Sequence, residues 1–264
     1  MVRLKKPAQI EQMRVASQLT AQTQEFLREQ VRSGISTAAL DSIADTYIRD
    51  HGGRPSPKGY RGYPNSICMA VNDVVVHGVP TDHPLKDGDI LTMDVTIEKG
   101  GYHGDKAITV KLGDVSEDAE KLIAATEEAM YRGIVACHSK NRVGDIGVAV
   151  QDFVEELGYS VVREFCGHGI GEEMHEEPQI MNYGRPRSGH RLKVGMVITV
   201  EPMVNIGTHM VQLLPDGWTA VTADGSLSCQ FEHTVAITPF GPDILTIYTD
   251  HERKMWERFS NGEV

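Results

Sequence analysis

The chain has 264 residues, 40% of them hydrophobic, so it is long enough to bury a core as one large domain or two small ones. Its formal net charge of −11 disfavours binding to nucleic acid or to an anionic membrane. No stretch approaches the ~18 consecutive apolar residues of a membrane helix, and no apolar run follows the charged start to form a signal peptide. We therefore expect a cytoplasmic globular protein.

Periodic apolar residues predict two helices in the first half of the chain and two in the second. The first covers residues 8–32, and the second, which Ser36 or Thr37 would cap, covers about 37–51. A third helix begins after Ser116 and runs to about 138. The apolar face of the second helix recurs near 146–154. The tail after about 249 is expected to form a surface helix.

Strand-like segments lie between and after these helices. They cover 67–76, 89–98, 102–112, 161–166, 195–204, 210–214 and 230–238. The segment 55–64, which contains Tyr60 and Tyr63, is a loop. Each half of the chain is thus two helices followed by strands. This order predicts an α+β fold, in which helices cover one face of a mainly antiparallel sheet.

Three segments occur twice in the same order, which predicts a duplicated fold. Residues 85–94, Leu-Lys-Asp-Gly-Asp-Ile-Leu-Thr-Met-Asp, are echoed 107 positions later by residues 192–201, Leu-Lys-Val-Gly-Met-Val-Ile-Thr-Val-Glu. His-Gly-Val at 77–79 matches His-Gly-Ile at 168–170, and residues 105–110 match 232–237. Since no linker separates the halves, we expect one domain over 1–264, with repeats at roughly 8–113 and 114–248.

Each repeat supplies one histidine and two carboxylates to the seam between the halves. They are His77, Asp94 and Asp105 in the first, and His168, Glu201 and Glu232 in the second. A turn at 99–100 would place Asp94 directly opposite Asp105 on a hairpin. A turn at 100–101 would instead place Thr96 opposite Asp105, but both aspartates would still share one face of the sheet.

Carboxylates this close repel one another and need a shared proton or a cation. Duplication favours the cation, because protons cannot balance four carboxylates around one seam at neutral pH. Oxygen ligands together with an imidazole suit Mn, Fe, Co or Zn ions, and two such ions lower the pKa of a water molecule between them, which predicts a hydrolytic site. His168, in a glycine-rich turn, is the expected nitrogen ligand, while His77 and His175 would act on the substrate.

Five ordered motifs resemble those of the type I methionine aminopeptidases. They are the Asp94 and Asp105 pair, Gly167-His-Gly-Ile-Gly171, His175-Glu-Glu-Pro178, Thr199-Val-Glu-Pro-Met203 and Cys229-Gln-Phe-Glu-His-Thr234. The resemblance covers about residues 5–248. It implies the pseudo-two-fold "pita-bread" fold and a dinuclear site formed by Asp94, Asp105, His168, Glu201 and Glu232, in which Asp105 and Glu232 bridge the two ions.

The resemblance also implies what the individual residues do. Glu201 would act as general base and then general acid, His77 would contact the substrate near the scissile amide, and His175 would stabilise the oxyanion. The methionine side chain would occupy a pocket formed by Tyr60, Tyr63, Cys68 and Trp218. The substrate would be a nascent polypeptide whose second residue is small.

Three positions depart from the family pattern. Lys106 follows the second aspartate, where threonine is frequent, and as its strand neighbour it should point to the opposite face. Met174 replaces a frequent phenylalanine, and Pro57 replaces a frequent cysteine at the pocket edge. These changes leave the chemistry intact but alter the pocket.

Two rival interpretations stay open on the sequence alone. One is an X-prolyl aminopeptidase, prolidase or creatinase of the same fold, and the other is a binding homologue that has lost its metals. We expect a monomer without a specific nucleic-acid partner. A transient contact with the ribosome stays open, although no run of like charges indicates one.

Overall fold

The computed structural model describes residues 2–263. Its helices are α1 (Pro7–Gln30), α2 (Thr37–Asp50), α3 (Glu117–Val135), α4 (Val143–Glu156) and α5 (Asp250–Ser260). Its strands are β1 (Arg54–Pro55), β2 (Cys68–Val71), β3 (Val74–Val76), β4 (Ile90–Lys99), β5 (Tyr102–Lys111), β6 (Ser160–Val161), β7 (Gly167–Gly169), β8 (Glu176–Ile180), β9 (Val197–Val200), β10 (Met203–Asn205), β11 (Val211–Leu213), β12 (Ala220–Thr222), β13 (Ser228–Gln230), β14 (His233–Thr238) and β15 (Gly241–Ile244).

The predicted helices are confirmed to within a few residues, and their caps explain where they begin. Ser36 Oγ accepts a hydrogen bond from the Ala39 amide at the start of α2, at 3.1 Å. Ser116 does the same for α3, whose first turn is acidic and therefore suits the positive end of the helix dipole. Thr37, the alternative cap, instead donates its hydroxyl to the Thr81 carbonyl.

Several predicted strands were too long or were missed. The segment 67–76 divides into β2 and β3, because Asn72 has a φ of 54° in the turn between them. The segment 195–204 divides at Glu201 and Pro202, and only Ser160–Val161 forms a strand in the region predicted at 161–166. β1, β7, β8, β12 and β15 were not predicted, and β13 overlaps a predicted segment only at Gln230.

All paired strands between residues 2 and 263 are antiparallel. Each half of the chain builds one main sheet from them. In the first half β4 pairs with β5 along one edge and with β1 and β2 along the other. In the second half the strand order is β15-β14-β9-β7-β8. The α1 and α2 helices cover a core of residues from β2 and β4, whereas α3 and α4 cover a core of residues from the second half.

The halves meet where β5 lies beside the chain entering β14. Thr234 exchanges two hydrogen bonds with the backbone of Asp105, at 3.0 and 2.8 Å, and the Glu232 amide donates to the Ala107 carbonyl at 2.8 Å. These bonds fix the register across the seam. Asp105 of the first half and Glu232 of the second half, both predicted as site residues, are therefore held next to each other.

The described part of the chain contains no helix with the length and apolar character needed to cross a lipid bilayer. The tail does form a helix, α5, as predicted, but it is more than a surface element. Phe259 and Glu252 are buried, and Phe259 belongs to the core under α3. The hydrophobic pattern of such a short segment could not show that Glu252 forms a buried ion pair with Lys106 of β5.

Candidate metal centre and substrate cleft

A cleft of about 570 Å³ opens at the seam between the halves. Every residue that the sequence singled out for the site lines this cleft. They are Tyr60, Tyr63, Cys68, His77, Asp94, Asp105, His168, His175, Glu201, Trp218 and Glu232. These residues come from distant parts of the chain, and the duplicated fold brings them together.

The β4–β5 hairpin places two carboxylates on the cleft side of its sheet. The first register considered, with Asp94 opposite Asp105, is wrong: Thr96 faces Asp105 and Asp94 faces Ala107. The turn therefore lies at Gly100 and Gly101, both of which have positive φ. The alternative register is correct, and the alternation of side chains still puts both aspartates on one face. Thr96 Oγ1 donates a hydrogen bond to Asp105 Oδ1 at 2.7 Å.

The second half supplies its carboxylates from the ends of two paired strands. Val200 of β9 pairs with His233 of β14. Glu201 follows Val200 and Glu232 precedes His233, so these two residues lie side by side where the chain leaves the sheet. Thr199 Oγ1 donates to Glu201 Oε1 at 2.6 Å. This pair continues the strand register directly, whereas Asp94 and Asp105 lie diagonally, two residues out of register, within the β4–β5 hairpin.

His168 is oriented so that one ring nitrogen is free. Its Nδ1 lies 2.9 Å from the Gly169 carbonyl, to which it donates, and the other nitrogen therefore presents a lone pair. Nε2 lies 3.6 Å from Glu201 Oε1 and 3.8 Å from Asp105 Oδ2. Burial lowers the pKa of His168 to about 4, so the ring is neutral at pH 7 and able to bind a cation.

The carboxylates of the site hold their protons unusually tightly when no cation is bound. Burial raises the pKa of Asp105 to about 7 and that of Glu201 to about 8. Burial, together with neighbouring carboxylates, raises the pKa of Asp94 and of Glu232 well above the usual range. Like charges this close cannot all ionise without a counterion.

A divalent cation fits this arrangement. One donor atom each from Asp105, His168 and Glu232 can be chosen so that all three lie within 4.8 Å of one another. Glu232 Oε1 is buried and has no hydrogen-bond partner, which is the condition of a ligand atom without its ion. Carboxylate oxygens with one neutral imidazole are the donor set of first-row divalent ions.

Two further imidazoles face the cleft without belonging to this cluster. His175 Nδ1 lies 2.9 Å from the Tyr60 hydroxyl, and its ring packs edge-on against that of His168 with centroids 4.3 Å apart. The His77 ring lies edge-on to Phe165, at 5.2 Å. Burial lowers the pKa of His77, which keeps its ring neutral. Both imidazoles can therefore donate or accept a hydrogen bond at the centre of the cleft.

The aromatic wall of the cleft is held by hydrogen bonds and ring contacts. The buried Tyr63 donates its hydroxyl proton to the Gly78 carbonyl at 2.9 Å, and its ring meets Trp218 edge-on with centroids 5.2 Å apart. Cys68 on β2 faces Asp94 on β4, so the apolar wall begins directly beside the carboxylates. This is an apolar slot next to a charged centre.

Sequence reasoning missed three residues that shape the site, and it named a fourth, Thr96, only as the residue facing Asp105 in one of two hairpin registers. Phe165 packs on His77, Thr96 and Thr199 each donate to a carboxylate, and Gln230 Nε2 lies 3.4 Å from Glu201 Oε2. Thr199 and Gln230 lie inside the motifs 199–203 and 229–234, so their positions next to candidate ligands in the sequence could have indicated a role in the site. Thr96 could be found only through the correct hairpin register.

The departures from the family pattern occupy different places. Met174 and Pro57 line the cleft, as expected for residues that alter the pocket. Lys106 points to the opposite face, as predicted, and is buried there in an ion pair with Glu252.

An antiparallel α+β fold with a carboxylate-rich cation site at the base of a peptide-sized cleft defines a metal-dependent hydrolase. The sequence profile of metallopeptidase family M24 matches residues 11–239. The chain belongs to metallopeptidase family M24, and its fold is the pita-bread fold.

Relatives within the family narrow the comparison. The chain is 49% identical over 247 residues to the methionine aminopeptidase of Clostridium perfringens, which covers 94% of the chain and 99% of that protein. It is 47% identical to methionine aminopeptidase 1 of Bacillus subtilis, over 93% of the chain and 99% of that protein.

Solved structures agree with these relatives. The methionine aminopeptidase of Rickettsia prowazekii superposes with a TM-score of 0.92 at 42% identity, over 94% of the chain and 100% of that structure. The prolidase of Pyrococcus furiosus has a TM-score of 0.76 at 21% identity, over 93% of the chain and 66% of that structure. At such an identity the prolidase likeness shows the fold alone.

Proposed function

We propose that the chain removes the N-terminal methionine from polypeptides whose second residue is small, using two divalent metal ions. The observation that carries this proposal is the meeting of an apolar aromatic slot with the cation site in one cleft. The predicted activity, that of a methionyl aminopeptidase, is confirmed by curated relatives at 44–49% identity over most of the chain.

Five residues would hold the ions: Asp94, Asp105, His168, Glu201 and Glu232. Asp105 and Glu232 are suited to bridging, because each is buried and comes from a different half of the seam. When bound, such ions would act as Lewis acids towards the amide carbonyl and would lower the pKa of water, so that hydroxide is available near pH 7.

Glu201 is placed to move the proton. Once the ions have displaced its proton, its carboxylate would take a proton from the attacking water and pass it to the leaving amine. Thr199 Oγ1 donates to one carboxylate oxygen at 2.6 Å, which fixes the rotamer. Gln230 approaches the other oxygen and limits its rotation.

His175 and His77 would act on the substrate. His175 is oriented by the Tyr60 hydroxyl through Nδ1, so its Nε2 is available to donate to the developing oxyanion. The His77 ring lies edge-on to Phe165 and to Trp218, with centroids 5.2 and 6.5 Å away, and would present a neutral ring near the scissile amide.

The side chain of the N-terminal methionine would lie against Tyr60, Tyr63, Cys68 and Trp218. A flexible thioether fits an irregular aromatic slot and gains sulfur–aromatic contacts there. A large second residue would meet the rim that carries the exposed His175. This rim supports the preference for a small second residue.

The physiological ion would be Co, Mn, Fe or Zn, since the same donor set accepts all four. We further propose that the protein acts in the cytoplasm as a monomeric single domain. A transient contact with the ribosome would bring nascent chains to the cleft.

The test is to measure release of the first residue from Met-Ala-Ser, Met-Lys-Ser and an Xaa-Pro peptide, with Mn, Fe, Co and Zn compared. We expect rapid release from Met-Ala-Ser and little from the other two. Metal stoichiometry is measured on the same preparations. Efficient cleavage of the Xaa-Pro peptide would support the prolidase interpretation, and a chain that binds no metal would contradict both enzymes.

A further inference from the structure

The C-terminal helix α5 lies outside residues 11–239, which the family profile matches, yet it is firmly attached to the domain. Phe259 stacks on Tyr131 of α3 with ring centroids 5.5 Å apart. His251 Nε2 lies 2.9 Å from Glu127 Oε1, also on α3. The helix therefore closes one side of a second cavity, of about 770 Å³, that lies behind β5 and the start of β14.

A buried ion pair joins α5 to β5. Lys106 is 2% exposed, and its ammonium group pairs with Glu252 Oε1. The other oxygen of Glu252 accepts the backbone amides of Tyr248 and Thr249, at 2.8 and 2.9 Å. One carboxylate thus both starts the helix and neutralises the buried lysine.

The same strand segment carries a metal-site carboxylate on its other face. Asp105 points into the cleft and its neighbour Lys106 points to α5, because successive strand side chains alternate. The Lys106 carbonyl accepts a hydrogen bond from Gln24 on α1 at 2.9 Å. A shift of the strand backbone at Asp105 would therefore also displace Lys106 from its buried pair.

The second bridging position has a similar arrangement. Glu232 lines both the cleft and the second cavity, so the segment leading into β14 separates them. His233, the neighbour of Glu232, is buried behind this segment, with Nδ1 2.8 Å from Thr246 Oγ1. The residues following both bridging carboxylates are thus polar groups fixed on the side that α5 covers.

We propose that α5 is a positioning element of the metal centre, which acts through the Lys106–Glu252 pair to hold Asp105 where it meets His168 and Glu232. Lys106 and Glu252 are positioning residues, since neither reaches the cleft. Buried ion pairs often add little to net stability, so a role in geometry accounts for this one better than a role in folding alone. The inference rests on the proposed metal site.

The decisive variant removes both charges together: Lys106→Met with Glu252→Gln. It leaves no unpaired buried charge, and glutamine retains an oxygen that can accept the amides at the start of α5. Manganese(II) binding to the metal-free full chain is measured by calorimetry, with thermal unfolding recorded in parallel. We expect Mn affinity to fall about tenfold, a typical effect of removing a group that supports a metal ligand, while unfolding stays cooperative.

A matched control lies on the same strand. Lys111 pairs with Glu120 of α3 at 2.5 Å, but both side chains are more than half exposed. The double change Lys111→Met with Glu120→Gln should leave Mn affinity unchanged. A single Glu252→Gln variant, which leaves the charge of the buried Lys106 unpaired, should lower Mn affinity more than the double variant does.

The inference would be overturned if the decisive variant bound Mn as tightly as the unaltered chain does, whether or not its unfolding temperature fell. α5 would then be a stabilising element only. The same result follows if the Lys111 and Glu120 control loses as much affinity. Failure of the unaltered chain to bind Mn would instead contradict the proposed metal site. The two failures are therefore distinguishable.

Discussion

Asp105 is the residue at which the contacts of both halves meet. Its amide and carbonyl bond to Thr234 of the second half, and its Oδ1 accepts from Thr96 of the first. Its carboxylate lies within the group that also contains His168 and Glu232. Removing its charge should therefore alter the cation site without removing the hydrogen bonds of its backbone.

Substitution of the acidic residues should remove metal and activity together. We expect Asp94→Asn, Asp105→Asn and Glu232→Gln each to bind less metal per chain and to lose nearly all turnover, because a neutral amide cannot replace an anionic ligand. Atomic absorption on purified protein, alongside Met-Ala-Ser cleavage, tests this. Full activity in Asp105→Asn would show that the site is wrongly assigned.

The imidazoles outside the ion cluster should behave differently. His175→Ala and His77→Ala are expected to keep their metal but lose turnover, by ~10²–10³ for removal of one oxyanion donor. Metal content and kcat are measured on the same samples. Loss of metal in either variant would make that histidine a ligand.

Metal affinity should rise with pH until the carboxylates have ionised. Protons compete with the cation for Asp105 and Glu201, whose pKa values are raised by burial to about 7 and about 8. Affinity should therefore increase from pH 6 to about 8 and be accompanied by proton release. Calorimetry in buffers of different ionisation enthalpy measures both effects. An affinity that is constant from pH 6 to pH 9 would contradict the assignment.

At the scale of single residues, the meeting of the candidate ligands in one cleft could be predicted because duplication repeats their types and order along the chain. Their supporting hydrogen bonds could not. Thr96 was identified as a partner of Asp105 only in one of two hairpin registers, and a one-residue difference in the turn decided between them. Phe165 carries no pattern of its own, and only the tertiary fold brings it to His77.

At the scale of elements, long segments with internal periodicity were predictable and short ones were not. The β4 and β5 strands and helices α1 to α4 each contain enough turns or alternations to show their type. β1 has two residues and forms along the edge of the longer β4, whereas β12 has three residues and forms between the equally short β11 and β3. Such pairing is long-range and leaves no local signal.

The loop that carries Tyr60 and Tyr63 and the hairpin turn that carries Trp218 meet over the cleft. Trp218→Ala should raise KM for Met-Ala-Ser and weaken the preference for methionine over leucine, since one wall contact is worth about 1–3 kcal/mol. Metal content should stay unchanged. An unaltered methionine-to-leucine ratio, together with good cleavage of a prolyl substrate, would contradict the pocket assignment.

At the scale of the whole molecule, ion binding should stabilise both halves together, because the ligands come from both. At a metal concentration 100 times Kd, a single site adds about 2.7 kcal/mol to the free energy of unfolding. For a chain of this size the midpoint should rise by roughly 5–10 °C in one cooperative transition. Scanning calorimetry measures this, with Asp105→Asn as the control that should not respond. Two separate transitions would show that the halves unfold independently.

The chain contains two tryptophans, and the fold places them in separate features. Trp218 faces Tyr63 and His77 in the cleft, whereas Trp256 lies on α5 against the core of the second half. The tryptophan emission of a Trp256→Phe variant would therefore come only from the cleft, and that of a Trp218→Phe variant only from the C-terminal helix. Intrinsic fluorescence can thus follow peptide entry and helix detachment as separate optical signals, without an added label.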